Sequence, residues 1–151
     1  MRQLWHDVRR HRLSAACFLV YWLAVWIAYW YFNWTGGIPT VGVVLGILAL
    51  PIAGSLVGWW RAPAREGLLI GGRYPAGGPL AAVFVIVADM AVLFAPAFLR
   101  ALQQGAAEWI GVVVAFLRAS VIMGLIALLL GWLGALAGGL LASALRAPAA
   151  R

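Results

Sequence analysis

Long uncharged apolar runs alternate with short polar segments along this chain. Residues 1–13 (MRQLWHDVRRHRL) form a basic head, and Ser14 to Trp34 is an uncharged run of 21 residues. Such a run crosses a hydrocarbon core of about 30 Å as a helix rising ~1.5 Å per residue. Residues 35–40 (TGGIPT) read as a tight Gly/Pro turn. A second run covers 41–60, with Pro51 near its middle; proline there frees the Ile47 carbonyl and bends the helix. Residues 61–79, with three arginines, three prolines and five glycines, read as a loop. A third run covers 80–99, interrupted only by Asp89, and a fourth covers 120–145, followed by a short tail, 146–151.

Residues 100–119 are less regular. Gln104, Glu108, Gly111, Ala115 and Arg118 recur at helical spacing as a polar or small face. This pattern predicts a helix lying at the interface before the last span. The competing placement makes 109–132 the fourth span and puts Arg118 at mid-depth, which costs roughly 2.5–3.5 kcal/mol on insertion scales. The expectation is therefore an all-α membrane domain, with four transmembrane helices in a bundle and an interfacial segment at 100–119.

Composition agrees with that class. The chain of 151 residues is 66% hydrophobic and 10% charged, with a mean hydropathy of +0.99. A soluble domain has about 45–50% apolar and about 25% charged residues. A soluble globular enzyme and a disordered chain are both excluded on this ground. The formal net charge is +7, from eleven arginines and no lysine. These arginines flank apolar runs instead of forming a basic stripe, which argues for membrane orientation and against nucleic acid as a partner. With four spans, nine arginines (Arg2, Arg9, Arg10, Arg12, Arg61, Arg65, Arg73, Arg146 and Arg151) fall on one side and two, Arg100 and Arg118, on the other. The positive-inside rule then places both termini in the cytoplasm, and the all-Arg, Ala- and Gly-rich usage points to a bacterial chain, hence to the inner membrane.

Three features inside the runs are candidates for function. The first is a set of small-residue seams: Gly42, Gly46, Ala49 and Ala53 in the second run, and Ser120, Gly124, Ala127, Gly131, Gly134 and Gly138 in the fourth. Small seams let helices approach closely in lipid. The two runs point the same way, so the expectation is that they pack together, or that one seam meets another subunit. The second feature is aromatic density in the first run. Trp30 and Trp34, with Trp59, Trp60 and Trp109 elsewhere, read as interfacial anchors. Trp22 and Trp26 lie deeper, one turn apart; they either face lipid or Gly-rich neighbours, or line a pocket.

The third feature is Asp89. A carboxylate at mid-depth is costly and must be paired, neutral or facing water. Nothing on its own helical face can pair with it, so three roles stand open: a hydrogen-bonded brace, a bridge to a partner subunit, or a proton or cation site. Arg118 becomes its partner only if 109–132 is the fourth span.

No catalytic constellation is present. His6 and His11 lie five residues apart in the basic head, and no Walker loop, GxSxG motif or cysteine pair occurs. The reading is non-enzymatic, with no catalytic residue, no cofactor and no metal site. Cys17, the single cysteine, reads as a small apolar core residue. The string LPIAGSLVGWW, the Gly/Arg loop and then GGPLAAVFVIV resemble the middle of uncharacterised small four-helix bacterial membrane proteins, over residues 41–90. The resemblance implies a helical bundle and brings no activity or site. Small multidrug transporters, by contrast, are shorter and carry their acid in the first helix.

The expected function is that of a structural, assembly or accessory membrane protein acting through helix packing, as a homo-oligomer or within a larger membrane complex. The alternative is a small oligomeric transporter or channel using Asp89.

Overall fold

Glycine and proline punctuate the chain where the apolar runs end. In the computed structural model, which describes residues 2–37, 40–62 and 77–146, the described residues form five helices. They are α1 (Arg2–Arg10), α2 (Arg12–Trp34), α3 (Thr40–Arg61), α4 (Gly77–Gln104) and α5 (Ala106–Arg146). The last four are long and apolar enough to cross a membrane. The described residues are thus all helix and short turns, and their four long apolar helices fit a multi-pass membrane protein. Most of the expected 61–79 loop and the tail from 147 onward, with Arg65, Arg73 and Arg151, lie outside the described residues.

The helix ends follow local chemistry. α2 stops at Gly36, whose φ of +73° suits glycine, while the Gly37 N–H donates to the Phe32 carbonyl at 2.9 Å. That is the Schellman arrangement, which satisfies a carbonyl of the last turn. Gly105, with φ of +112°, separates α4 from α5.

The interfacial segment expected at 100–119 is not a separate helix. Its first residues finish α4, and the rest begins α5, which continues unbroken for 41 residues. No proline falls between 106 and 146, so nothing interrupts the ladder once Gly105 has turned the chain. At ~1.5 Å per residue α5 is about 60 Å long, roughly twice a hydrocarbon core.

The core lies where α3, α4 and α5 meet: Leu50, Ala82, Ile86, Met90 and Ala127 are buried together, with Phe94, Phe116 and Met123 packed around them. α3 and α5 run in the same direction, because Gly54 meets Gly131 and Gly58 meets Ala135 in the same order along both helices. α4 runs against α5, with Ala82 beside Gly131 and Phe94 beside Phe116 at 5.7 Å between ring centroids.

Three glycines make that junction possible. A Cβ on Gly54 would clash with the Gly131 carbonyl; one on Gly131 would lie 2.6 Å from the Ala82 Cβ; one on Gly78 would lie 2.9 Å from the Gly131 oxygen. Backbone touches backbone here, so dispersion and weak Cα–H···O contacts replace side-chain interlocking.

α1 folds the basic head onto the same end of the bundle. Arg61 pairs with Asp7 at 2.7 Å. The His11 ring stacks on Trp60 with centroids 5.2 Å apart, and Trp60 Nε1 donates to Ser14 Oγ at 3.0 Å. The head is therefore a docked helix.

Candidate functional site

α2 is the least embedded of the spanning helices, with Val25 as its one buried residue. Besides the Trp60–Ser14 hydrogen bond near its start, two polar ties hold it. The Tyr21 hydroxyl donates to the Leu45 carbonyl of α3 at 3.0 Å. Deeper, Trp22 and Trp26, one helical turn apart, turn their indole N–H groups toward α4. Both donate to the same oxygen of Asp89, Trp22 Nε1 at 2.7 Å and Trp26 Nε1 at 2.9 Å.

Chain geometry puts this node at mid-depth. Trp22 and Trp26 lie about 15 and 21 Å along α2 from Arg12, and Asp89 about 18 Å along α4 from Gly77, at ~1.5 Å per residue. Arg12 and Gly77 stand at the same end of the bundle, where Gly77 abuts the Arg61 guanidinium. Asp89 is 4% exposed. An indole N–H can only donate and a carboxyl oxygen accepts, so the pairing satisfies all three groups at Oδ1. The two indoles meet edge to face with centroids 6.4 Å apart, and Trp26 meets Tyr29 in the same way at 5.3 Å.

A cavity of about 60 Å³ adjoins the carboxyl group, between Trp26, Tyr29, Gly46, Met90 and Met123. Gly46 opens it, since a Cβ at that position would have no atom within 4 Å. A space above ~10–15 Å³ admits a water molecule when polar partners are present. The arrangement can do two things chemically: fasten α2 to α4, and offer an oxygen of Asp89 to a small polar occupant.

The other candidate residues separate into distinct places. Arg118 is exposed on α5; among the described residues the ion pair is Asp7–Arg61, and Asp89 has none. Gly131, Gly134 and Gly138 lie against α3, where Cβ atoms on the latter two would strike the Pro51 and Ser55 carbonyls. Ala49, Ala53 and Ala127 are buried. Gly42 instead packs against Tyr29 of α2, and Gly124 has no neighbour near its Cβ position. The Ser120 hydroxyl is buried without a hydrogen-bond partner among the described residues.

Trp34 is 92% exposed and Trp30 is exposed beside it, at the end of α2 away from Arg12. Trp59 and Trp60 are half-buried at the arginine-rich end. Trp109 is exposed and rests on Phe98, with ring centroids 5.3 Å apart. Cys17 is exposed on α2, contrary to the expectation of a core residue, because α2 turns little of its surface inward.

Sequence reasoning missed two things. The face of α3 that touches α5 is Pro51, Gly54, Ser55 and Gly58, displaced from the seam read at 42, 46, 49 and 53. The signal was present as a GxxxG pair at 54–58, matched by another at 134–138. The partners of Asp89 were also missed, although Trp22 and Trp26 had been singled out. No protein-family model, curated protein or solved structure matches this chain.

Proposed function

We propose that this chain is a structural, assembly or accessory subunit of the bacterial inner membrane, with both termini cytoplasmic, acting through helix–helix packing with itself or a larger membrane complex. The observation that carries this reading is the use made of Asp89: its Oδ1 is taken up by two indoles that join α2 to α4. The costly group thus holds the chain's own helices together, which supports a packing role over a conducting one. The length of α5 supports a partner as well. Ile110, Val114, Leu117 and Val121 are all exposed along its first part, at spacings of 4, 3 and 4 on one face.

Native mass spectrometry of the protein extracted in a mild detergent or nanodisc tests the proposal. Stoichiometric co-purification with a larger membrane protein is the expected result. A defined homo-oligomer without other protein would leave packing with itself to be separated, by flux assays on Asp89→Asn, from a second reading, a small transporter or channel with Asp89 as its proton or cation site. That second reading draws on the cavity of about 60 Å³ beside the carboxyl group.

A further inference from the structure

We infer that the apolar groove at the arginine-rich end of the bundle binds one acyl chain of an anionic phospholipid. The inference rests on the membrane placement of the helices and is independent of the accessory role.

The groove encloses about 820 Å³ between α1, α2, α3 and α4. It exists because α2 is tied to α4 at Trp22 and Trp26, deeper in the bundle, while nearer Arg12 small residues face the gap. Phe18 forms its α2 wall, Ala53 its α3 wall, and Ala81 and Phe84 its α4 wall. α1 closes the end, presenting Trp5 to the same space, and is held there by Asp7–Arg61 and by His11 on Trp60. A ligand site of ~300–1,000 Å³ with mostly apolar walls takes a molecule of drug or lipid-tail size. Water gains nothing from such walls, and hydrocarbon fills them.

Charge selects the head group. Arg2 stands on the rim, and the Arg9 guanidinium lies 5.5 Å from the Trp5 ring centroid. The acid of α1, Asp7, is already committed to Arg61. A tail in the groove therefore carries its head toward Arg2 and Arg9, where a phosphate is attracted. A second copy of the chain would bring its own arginine rim against this one, and like charges disfavour that occupant.

The test uses the full chain in nanodiscs containing equal amounts of phosphatidylglycerol and phosphatidylcholine with identical acyl chains. A photo-crosslinking phenylalanine analogue replaces Phe84, and the adducts are read by mass spectrometry. The expected adduct is one lipid per chain, with phosphatidylglycerol enriched. Arg2→Gln, at an exposed position that leaves the fold intact, should lower that enrichment by about fivefold, the effect of one arginine near an anionic head group. Ala81→Phe, which narrows the groove beside Phe84, should lower the adduct yield. Equal capture of the two lipids, enrichment unchanged in Arg2→Gln, or adducts to a second copy or another protein would each overturn the inference.

Discussion

Trp22 and Asp89 lie 67 positions apart in the chain and are joined by a hydrogen bond of 2.7 Å at mid-depth in the bundle. With Trp26 on the same oxygen at 2.9 Å, this contact fixes a helix that otherwise buries little surface. Trp22→Phe and Trp26→Phe keep the aromatic ring and remove one donor each. Each should cost about 1 kcal/mol, in line with interhelical hydrogen bonds measured in membranes. The double variant should cost more than the sum, because it leaves the buried carboxyl group without a donor. Reversible unfolding in mixed micelles gives these values; strict additivity would mean that the two indoles do not act on one group.

The glycine junction sets a sharper contrast. Gly54→Leu, Gly131→Leu and Gly134→Leu each drive a side chain into a facing backbone that cannot yield. Each should destabilise by about 3 kcal/mol or more, at or beyond the upper end for overpacking. Gly124→Leu meets no neighbour and should fall within about 0.5 kcal/mol of the parent. Folded yield in detergent, measured by size-exclusion chromatography, ranks the four. A Gly124 variant as damaging as the others would point to an interface with a further subunit.

The docking of α1 should be weak and salt-sensitive. Arg61 and Asp7 retain 24% and 21% side-chain exposure, so their pair is worth roughly 0.2–1 kcal/mol and is screened by added salt. Asp7→Asn should speed amide hydrogen exchange over residues 2–10 by a few-fold while leaving α3 and α5 unchanged. The same acceleration is expected for the parent chain in high salt.

Orientation follows from the arginine distribution and is open to direct test. Reporter fusions at residue 37 and at the C-terminus should give opposite signals, with the C-terminus cytoplasmic. A cytoplasmic signal at residue 37 would overturn the arginine-based assignment.

The fold class and the four spans were legible because runs of about 20 uncharged residues admit few alternatives in lipid. The parallel arrangement of α3 and α5 was legible too, since spans two and four of any four-span chain run the same way. The contact face of α3 was not, because small residues lie on several faces of that helix. Only the GxxxG pairs at 54–58 and 134–138 distinguish the face that reaches α5. Residues 106–119 misled because Glu108 and Arg118 give a polar face to what is physically the opening of one long helix.

The site was half legible. Asp89 stands out as the acid inside an apolar run, and its need for a partner follows from burial cost alone. Its partners did not stand out, because a deep tryptophan reads equally well as facing lipid, packing on a Gly-rich neighbour or lining a pocket. Counting residues from the charged ends of the first and third spans would have placed Trp22, Trp26 and Asp89 at one level.

The central claim is that Asp89 fastens helices together and does not conduct. Asp89→Asn and the parent chain, each reconstituted in proteoliposomes, should be compared for proton and cation flux alongside stability and retention of the assembly. The account predicts no flux above empty liposomes for either chain, together with weaker assembly in the variant. Flux through the parent chain, abolished by Asp89→Asn with stability and assembly unchanged, would contradict it.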